Sequence, residues 1–106
     1  MSTNENGIKK WEKTLKALAN QRRLGILSYL ERTGEANVGF IAAEIHLSFK
    51  STSRHLAILK AAGIVDRTQK DLQAFYKIAR PSELVVECVL SGIRYAANSH
   101  ELGMRG

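Results

Sequence analysis

Lys50, Ser51, Ser53 and Arg54 stand within five residues, two cations and two small hydroxyls with no acid among them. Such a group is suited to an anion. Arg54 can pair bidentately with a guanine edge or neutralise a phosphate, Lys50 fits a phosphate, and Ser51 and Ser53 allow close backbone approach or stay solvated. His55, next in line, reads as a structural or phosphate-contacting side chain. Arg67, Lys70 and Gln73 form a second polar group nearby. Catalysis finds no support in these types, so the chain does not read as an enzyme: His46, His55 and His100 fall on separate elements, with no nucleophile motif and no phosphate-cradling glycine loop.

The elements that must position these residues follow from spacing. Ser48 can cap a helix, and Thr52, Leu56 and Leu59 recur at i, i+4 and i+7, sharing one face at about 100° per residue. Lys50 and Arg54 then lie opposite. Gly63 suits the left-handed residue that ends such a helix. Before it, Asn37 is an N-cap candidate, and Val38, Ile41, Ala42 and Ile45 give a short helix separated from Ser48 only by His46 and Leu47. Two helices over 38–62 with so tight a turn predict a helix-turn-helix whose second helix enters the DNA major groove.

The 106 residues carry a formal charge of +6 and a pI of about 9.8, which favours a polyanionic partner. Between Lys9 and Arg23 six basic residues face Glu12, and between Lys50 and Arg80 seven face Asp66 and Asp71, so each block carries +5. A single cysteine, Cys88, permits no intrachain disulfide and predicts a reducing, cytoplasmic setting. The longest apolar run, LVVECVLSGI, is broken by Glu87 and too short for a bilayer, so no membrane partner is expected.

In chain order, residues 1–7 are expected to be disordered, and Ile8, Trp11, Leu15 and Leu18 mark one apolar stripe on a first helix over 8–19. Asn20 caps a second helix, Gln21 to about Arg32, with Leu24, Ile26, Leu27 and Leu30 as core, and Thr33 to Asn37 reads as a turn. Residues 64–78 predict a hairpin, with Ala74, Tyr76 and Ile78 alternating inward. Its join near Lys70 and Asp71 lacks glycine, which predicts a loose three- or four-residue tip. Pro81 is expected to start a last helix over 81–99, with 101–106 frayed. That helix is apolar except for a strip of Glu83, Glu87, Ser91, Arg94 and Asn98, so it should be buried on two sides. One side covers its own domain; the other, with the first helix, forms a two-fold interface made by Ile8, Trp11, Leu15, Leu84, Val85, Cys88, Val89 and Gly92. Cys88 would serve there as a small hydrophobe. The expected fold is a single domain over 1–106, mainly α with a small β-hairpin: a winged helix-turn-helix of four helices, two strands and a fifth helix, dimeric through its first and last helices.

LKALANQRRLGIL, then an SxxSRHLAILKAAGIV pattern carried by Ser48 or Ser51 through Val65, then FYKI, resembles the ArsR/SmtB family of dimeric winged-helix repressors over about Lys9 to Ile78. The resemblance implies that Lys50, Ser51, Ser53 and Arg54 contact DNA, that Lys70 lies at the wing tip, and that the first and last helices form the dimer. Arg23 matches the family's helix-two arginine. Two departures separate this chain from the family's metal sensors. Where they carry Cys-x-Cys-Asp, this chain has Val38, Gly39, Phe40, Ile41 and Ala42. On the last helix only Glu87 and His100 fall on ligand positions, with Val89 and Gly103 on the others. No metal or other cofactor is therefore expected.

The function expected is a sequence-specific, homodimeric transcriptional repressor that binds an inverted repeat in double-stranded DNA. The alternative, from another class, is a winged-helix module that uses the same basic surface for nucleic acid or protein without operator specificity. The ratio of specific to non-specific affinity separates the two, at about 10³ or more for an operator binder.

Overall fold

Three side chains placed at helix starts organise the chain. In the computed structural model, which describes the backbone of residues 2–103 and the side chains of 7–98, Asn20 Oδ1 accepts from Arg23 N (3.0 Å), Asn37 Oδ1 from Phe40 N (2.9 Å) and Ser48 Oγ from Ser51 N (3.0 Å). Each satisfies a backbone donor that its helix leaves without a partner. They open α2 (Gln21–Thr33), α3 (Val38–Ile45) and α4 (Phe49–Ala61). The remaining elements are α1 (Ser2–Leu18), β1 (Glu35–Asn37), β2 (Val65–Lys70), β3 (Gln73–Ile78) and α5 (Leu84–Gly103).

Left-handed residues close the helices. Gly34 (φ 87°) ends α2, and Gly63 (φ 76°) follows α4, where Ile64 N reaches back to Leu59 O at 2.9 Å. Between α3 and α4 the left-handed position falls on His46 (φ 56°), and Leu47 N bonds Ala42 O at 3.1 Å. That one residue reverses the chain tightly enough to set the two helices as a helix-turn-helix.

The core lies around α2, which touches α1, α3, α4, α5, β1 and β3. Ile26, Leu27 and Leu30 of α2 pack with Ile41, Leu56, Leu59, Ile64 and Leu90, all essentially without exposure. Leu24, expected in this core, is half-buried. Glu31, on the same helix, accepts from Arg80 and Arg94 at 3.0 Å each, which ties α2 to both the root and the middle of α5.

Several expectations change. Residues 35–37, read as part of a turn, form a strand that pairs antiparallel with β3, Ala36 opposite Tyr76, giving a three-stranded sheet in the order β1-β3-β2. Burial of Ala36 against the core provides the reason. The hairpin tip is tighter than expected: Lys70 pairs directly with Gln73, leaving two residues, and Asp71 takes the positive φ (55°) that glycine would ordinarily supply. Asp tolerates that region better than most side chains.

Both terminal helices also differ. The helix α1 begins at Ser2, ahead of the expected start at Ile8. Pro81 precedes α5 by three residues, because Glu83 O accepts from Glu87 N (3.0 Å) and so makes Glu83 the entry to the helix. The helix then runs to Gly103, past the expected end at Ser99 and through the first residues of the segment expected to fray.

The apolar stripes divide. On α1, Thr14, Ala17 and Leu18 face inward while Ile8, Trp11 and Leu15 remain exposed. On α5, Val85, Val86 and Leu90 are buried, Val89 and Ile93 pack against them, and Leu84, Cys88, Gly92 and Tyr95 point out. Val85 and Val89, expected at a two-fold interface, therefore serve their own protomer's core, and the outward row passes through Leu84, Cys88 and Tyr95. Cys88, read as a buried thiol, is exposed in the single chain. Thr14 Oγ1 and Lys10 Nζ both hold Glu83 (3.1 and 2.9 Å), joining α1 to the start of α5.

Candidate nucleic-acid interface

The helix α4 is anchored by one face and open on the other. Thr52, Leu56 and Leu59 are fully buried, whereas Phe49, Lys50 and Arg54 are exposed and Ser51 and Ser53 are partly so. Lys50 and Arg54, one turn apart, form a cationic row with no ion pair to any described residue. The Thr52 hydroxyl is buried without a hydrogen-bond partner, so its place on the anchoring face is set by packing alone.

The hairpin stands beside that open face. A groove of about 740 Å³ separates them, bounded by Phe49 and Ser53 of α4, Phe40 of α3, and Arg67, Leu72 and Gln73 of the hairpin. Arg67 Nη2 donates to Gln69 Oε1 (2.8 Å), and Gln69 Nε2 donates to the Asp71 carbonyl (3.2 Å), which stiffens the strand that carries the guanidinium. Gln73 Oε1 accepts from Asn37 Nδ2 (3.2 Å), so it links the hairpin to the start of α3.

Two expected contacts sit differently. Lys70 Nζ pairs with Glu35 at 3.0 Å and lies 4.8 Å above the Phe75 ring, so it reaches back across the sheet instead of standing free at the wing tip. An exposed pair of this kind holds only weakly. His55 is half-buried and turned away from the cationic row: its Nδ1 lies 3.1 Å from Arg23 Nη1. A guanidinium can only donate, so Nδ1 accepts and carries no proton. Burial first, then the charges of Arg23 and Arg22, hold the imidazole below its ordinary value of 6.5. Arg23 also donates to the Ala17 and Lys16 carbonyls (2.6 and 3.3 Å), capping the end of α1.

The groove thus brings Ser53 of α4 together with Arg67 and Gln73 of the hairpin; Lys50, Ser51 and Arg54 share α4 with Ser53 but do not line the groove, and His55 and Lys70 are held elsewhere. Sequence reasoning passed over Phe49. The helical wheel gave no signal: Phe49 precedes Thr52 by three residues and Leu56 by seven, which sets it near the anchoring face, and it is exposed because it lies in the first turn of α4, at the groove. Among the described residues no group of three or more His, Cys, Asp or Glu side chains converges as metal ligands, and no helix is long and apolar enough to cross a membrane. His100, one of the two weak ligand matches, lies outside the described side chains.

A short helix, a left-handed turn, a second helix with an open cationic face and a hairpin beside it define a winged helix-turn-helix, the architecture of DNA-binding domains. Residues 20–67 match the family model of bacterial regulatory proteins of the arsR family. Among relatives, the transcriptional activator HlyU of Vibrio cholerae is 38% identical over 65 residues, covering 61% of this chain and 59% of HlyU. The biofilm growth-associated repressor of Agrobacterium fabrum is 37% identical over 65 residues, covering 61% and 55%. The aligned stretch therefore spans somewhat over half the length of these curated relatives.

The solved structure of reduced HlyU superposes with a TM-score of 0.70 at 30% identity, over 97% of this chain and 98% of HlyU. A homodimeric winged helix-turn-helix DNA-binding domain from Mycobacterium bovis gives a TM-score of 0.74 at 29% identity, over 91% and 85%. This chain belongs to the arsR family of bacterial regulatory proteins.

Proposed function

We propose that the protein is a homodimeric, sequence-specific transcriptional regulator that represses by occupying an inverted repeat, and that it acts by binding in the cytoplasm and not by catalysis. The observation that carries this is the division of α4 into a fully buried face and an open cationic face beside the hairpin. Such a helix can lie in a major groove while Arg67 meets the flanking backbone. The exposed rows Ile8, Trp11 and Leu15 on α1 and Leu84, Cys88 and Tyr95 on α5 supply the apolar surface a second copy would cover. The M. bovis domain is homodimeric, which supports the same assembly here. Regulation is proposed to proceed without a metal, since Val38 to Ala42 offer no ligating side chain.

Selection of bound duplexes from a random DNA pool tests this. An enriched palindrome bound at least about a thousandfold more tightly than scrambled DNA is the expected result. Equal affinity for all sequences would assign the surface to a general nucleic-acid module instead.

A further inference from the structure

Phe49 is the first residue of α4 and is 63% exposed, yet it stands on the helix with the open cationic face. Ser48 caps that turn through Ser51 N, so the backbone that carries the ring is held in place. Phe49 belongs neither to the core nor to the hydrophobic residues packed against it. Around it stand charges suited to a polyanion: Lys50 beside it, Arg54 a turn further along, and Arg67 across the groove. An aromatic ring in that position needs an apolar feature on whatever the cations bind.

The major groove offers one. Its base edges present hydrogen-bond donors and acceptors, and thymine adds beside its O4 acceptor a 5-methyl group that is apolar and projects into the groove. The first residues of a recognition helix are those that reach base edges. We propose that Phe49 reads the 5-methyl group of one thymine in each half-site, a specificity contact beside the polar contacts of Lys50 and Arg54. The inference rests on the DNA-binding reading above and deepens it. Phe40 and Leu72 border the same groove, but they lie on α3 and at the hairpin tip, outside the helix directed at the bases.

The test uses the full chain and a duplex recovered from the random pool, with deoxyuridine replacing each thymine in turn, symmetrically in both half-sites. Deoxyuridine pairs as thymine does and lacks only the methyl. At one position the substitution is expected to weaken binding by about fourfold per half-site, the value of one buried methyl. Phe49→Ala should bind the thymine and deoxyuridine duplexes equally at that position, and Phe49→Leu should restore part of the difference. Since the ring is exposed, both variants should keep the circular dichroism of the unmodified protein.

A flat deoxyuridine series, or an enriched half-site without thymine, overturns the methyl contact and leaves operator binding standing. If Phe49→Ala weakens every duplex alike and preserves the deoxyuridine effect, the ring touches the sugar-phosphate backbone and the proposal fails. A pool with no enriched sequence removes operator binding and the methyl contact together.

Discussion

Arg23 and His55, 32 positions apart, are joined by a 3.1 Å contact between Nη1 and Nδ1, and the same guanidinium caps the last carbonyls of α1. One side chain therefore fastens α1 to α4. The histidine in this bond must be neutral, so its protonation and its anchoring role exclude each other.

A pH dependence follows. The folded-state value for His55 is lowered from 6.5, so the unfolded chain binds the proton more readily. Stability from this group is complete above about pH 6.5 and is lost as pH falls from there toward the folded value. Urea unfolding of His55→Gln, which can still accept from Arg23, should show a flatter loss of stability between pH 7.5 and 5.5 than the unmodified protein. Glu83, lowered chiefly by its bond to Lys10, contributes in a separate and more acidic window, losing its share only as pH falls below 4.5.

Thr52 supplies a stability prediction of opposite sign to most core substitutions. Its hydroxyl is buried without a partner, a condition that costs about 1–3 kcal/mol. Thr52→Val should therefore raise the unfolding free energy by about 1 kcal/mol. Unchanged affinity for the selected duplex should accompany the gain, because the side chain faces the core. A fall in stability would mean that the hydroxyl is bonded in solution.

Assembly can be separated from folding on a single helix. Leu84 is 72% exposed whereas Val86, half a turn away, is 3% exposed. Leu84→Asp should yield a folded monomer by sedimentation at micromolar concentration; Val86→Asp should lose the cooperative fold, since it buries a charge without a partner. A dimeric Leu84→Asp protein would move the interface off this row.

Lys50 and Arg54 on α4 should differ in kind. Arg54→Ala should cost about 1–3 kcal/mol per half-site on the selected duplex and less on a scrambled one, if its fork meets a guanine. Lys50→Ala should weaken both duplexes alike and lower the salt slope by about one. Equal losses for Arg54→Ala on both duplexes would assign Arg54 to a phosphate and leave base reading to its neighbours.

What the chain reveals before folding is what it decides locally. Asn20, Asn37 and Ser48 were legible as caps because each acts on a donor three residues away. β1 was not, since three residues become a strand only by lying against β3, some forty positions later. Lys70 looked free at the hairpin tip because its partner, Glu35, is equally remote. On α5, apolar residues cover so much of the circumference that periodicity could not fix its rotation. The identity of the inward row came from packing against α2, which set Val85 and Val89 inward and Leu84 outward. His55 was visible only as an ambiguity, and the distant Arg23 resolves it.

The fork at Glu31 bears on measurement of length. A duplex repeats its major-groove face about every 34–36 Å, and a two-fold reader must hold its two reading helices at that separation. Arg94 of α5 and Arg80, four residues before that helix, both close on Glu31, so the helix proposed to meet a second copy is pinned to α2 at its root and its middle. Because α2 in turn touches α3 and α4, the pinned pair works as the fixed jaw of a caliper. In the proposed dimer its opening would be set at the assembly seam, far from the bases, and a change in that opening would alter which spacing of half-sites can be spanned.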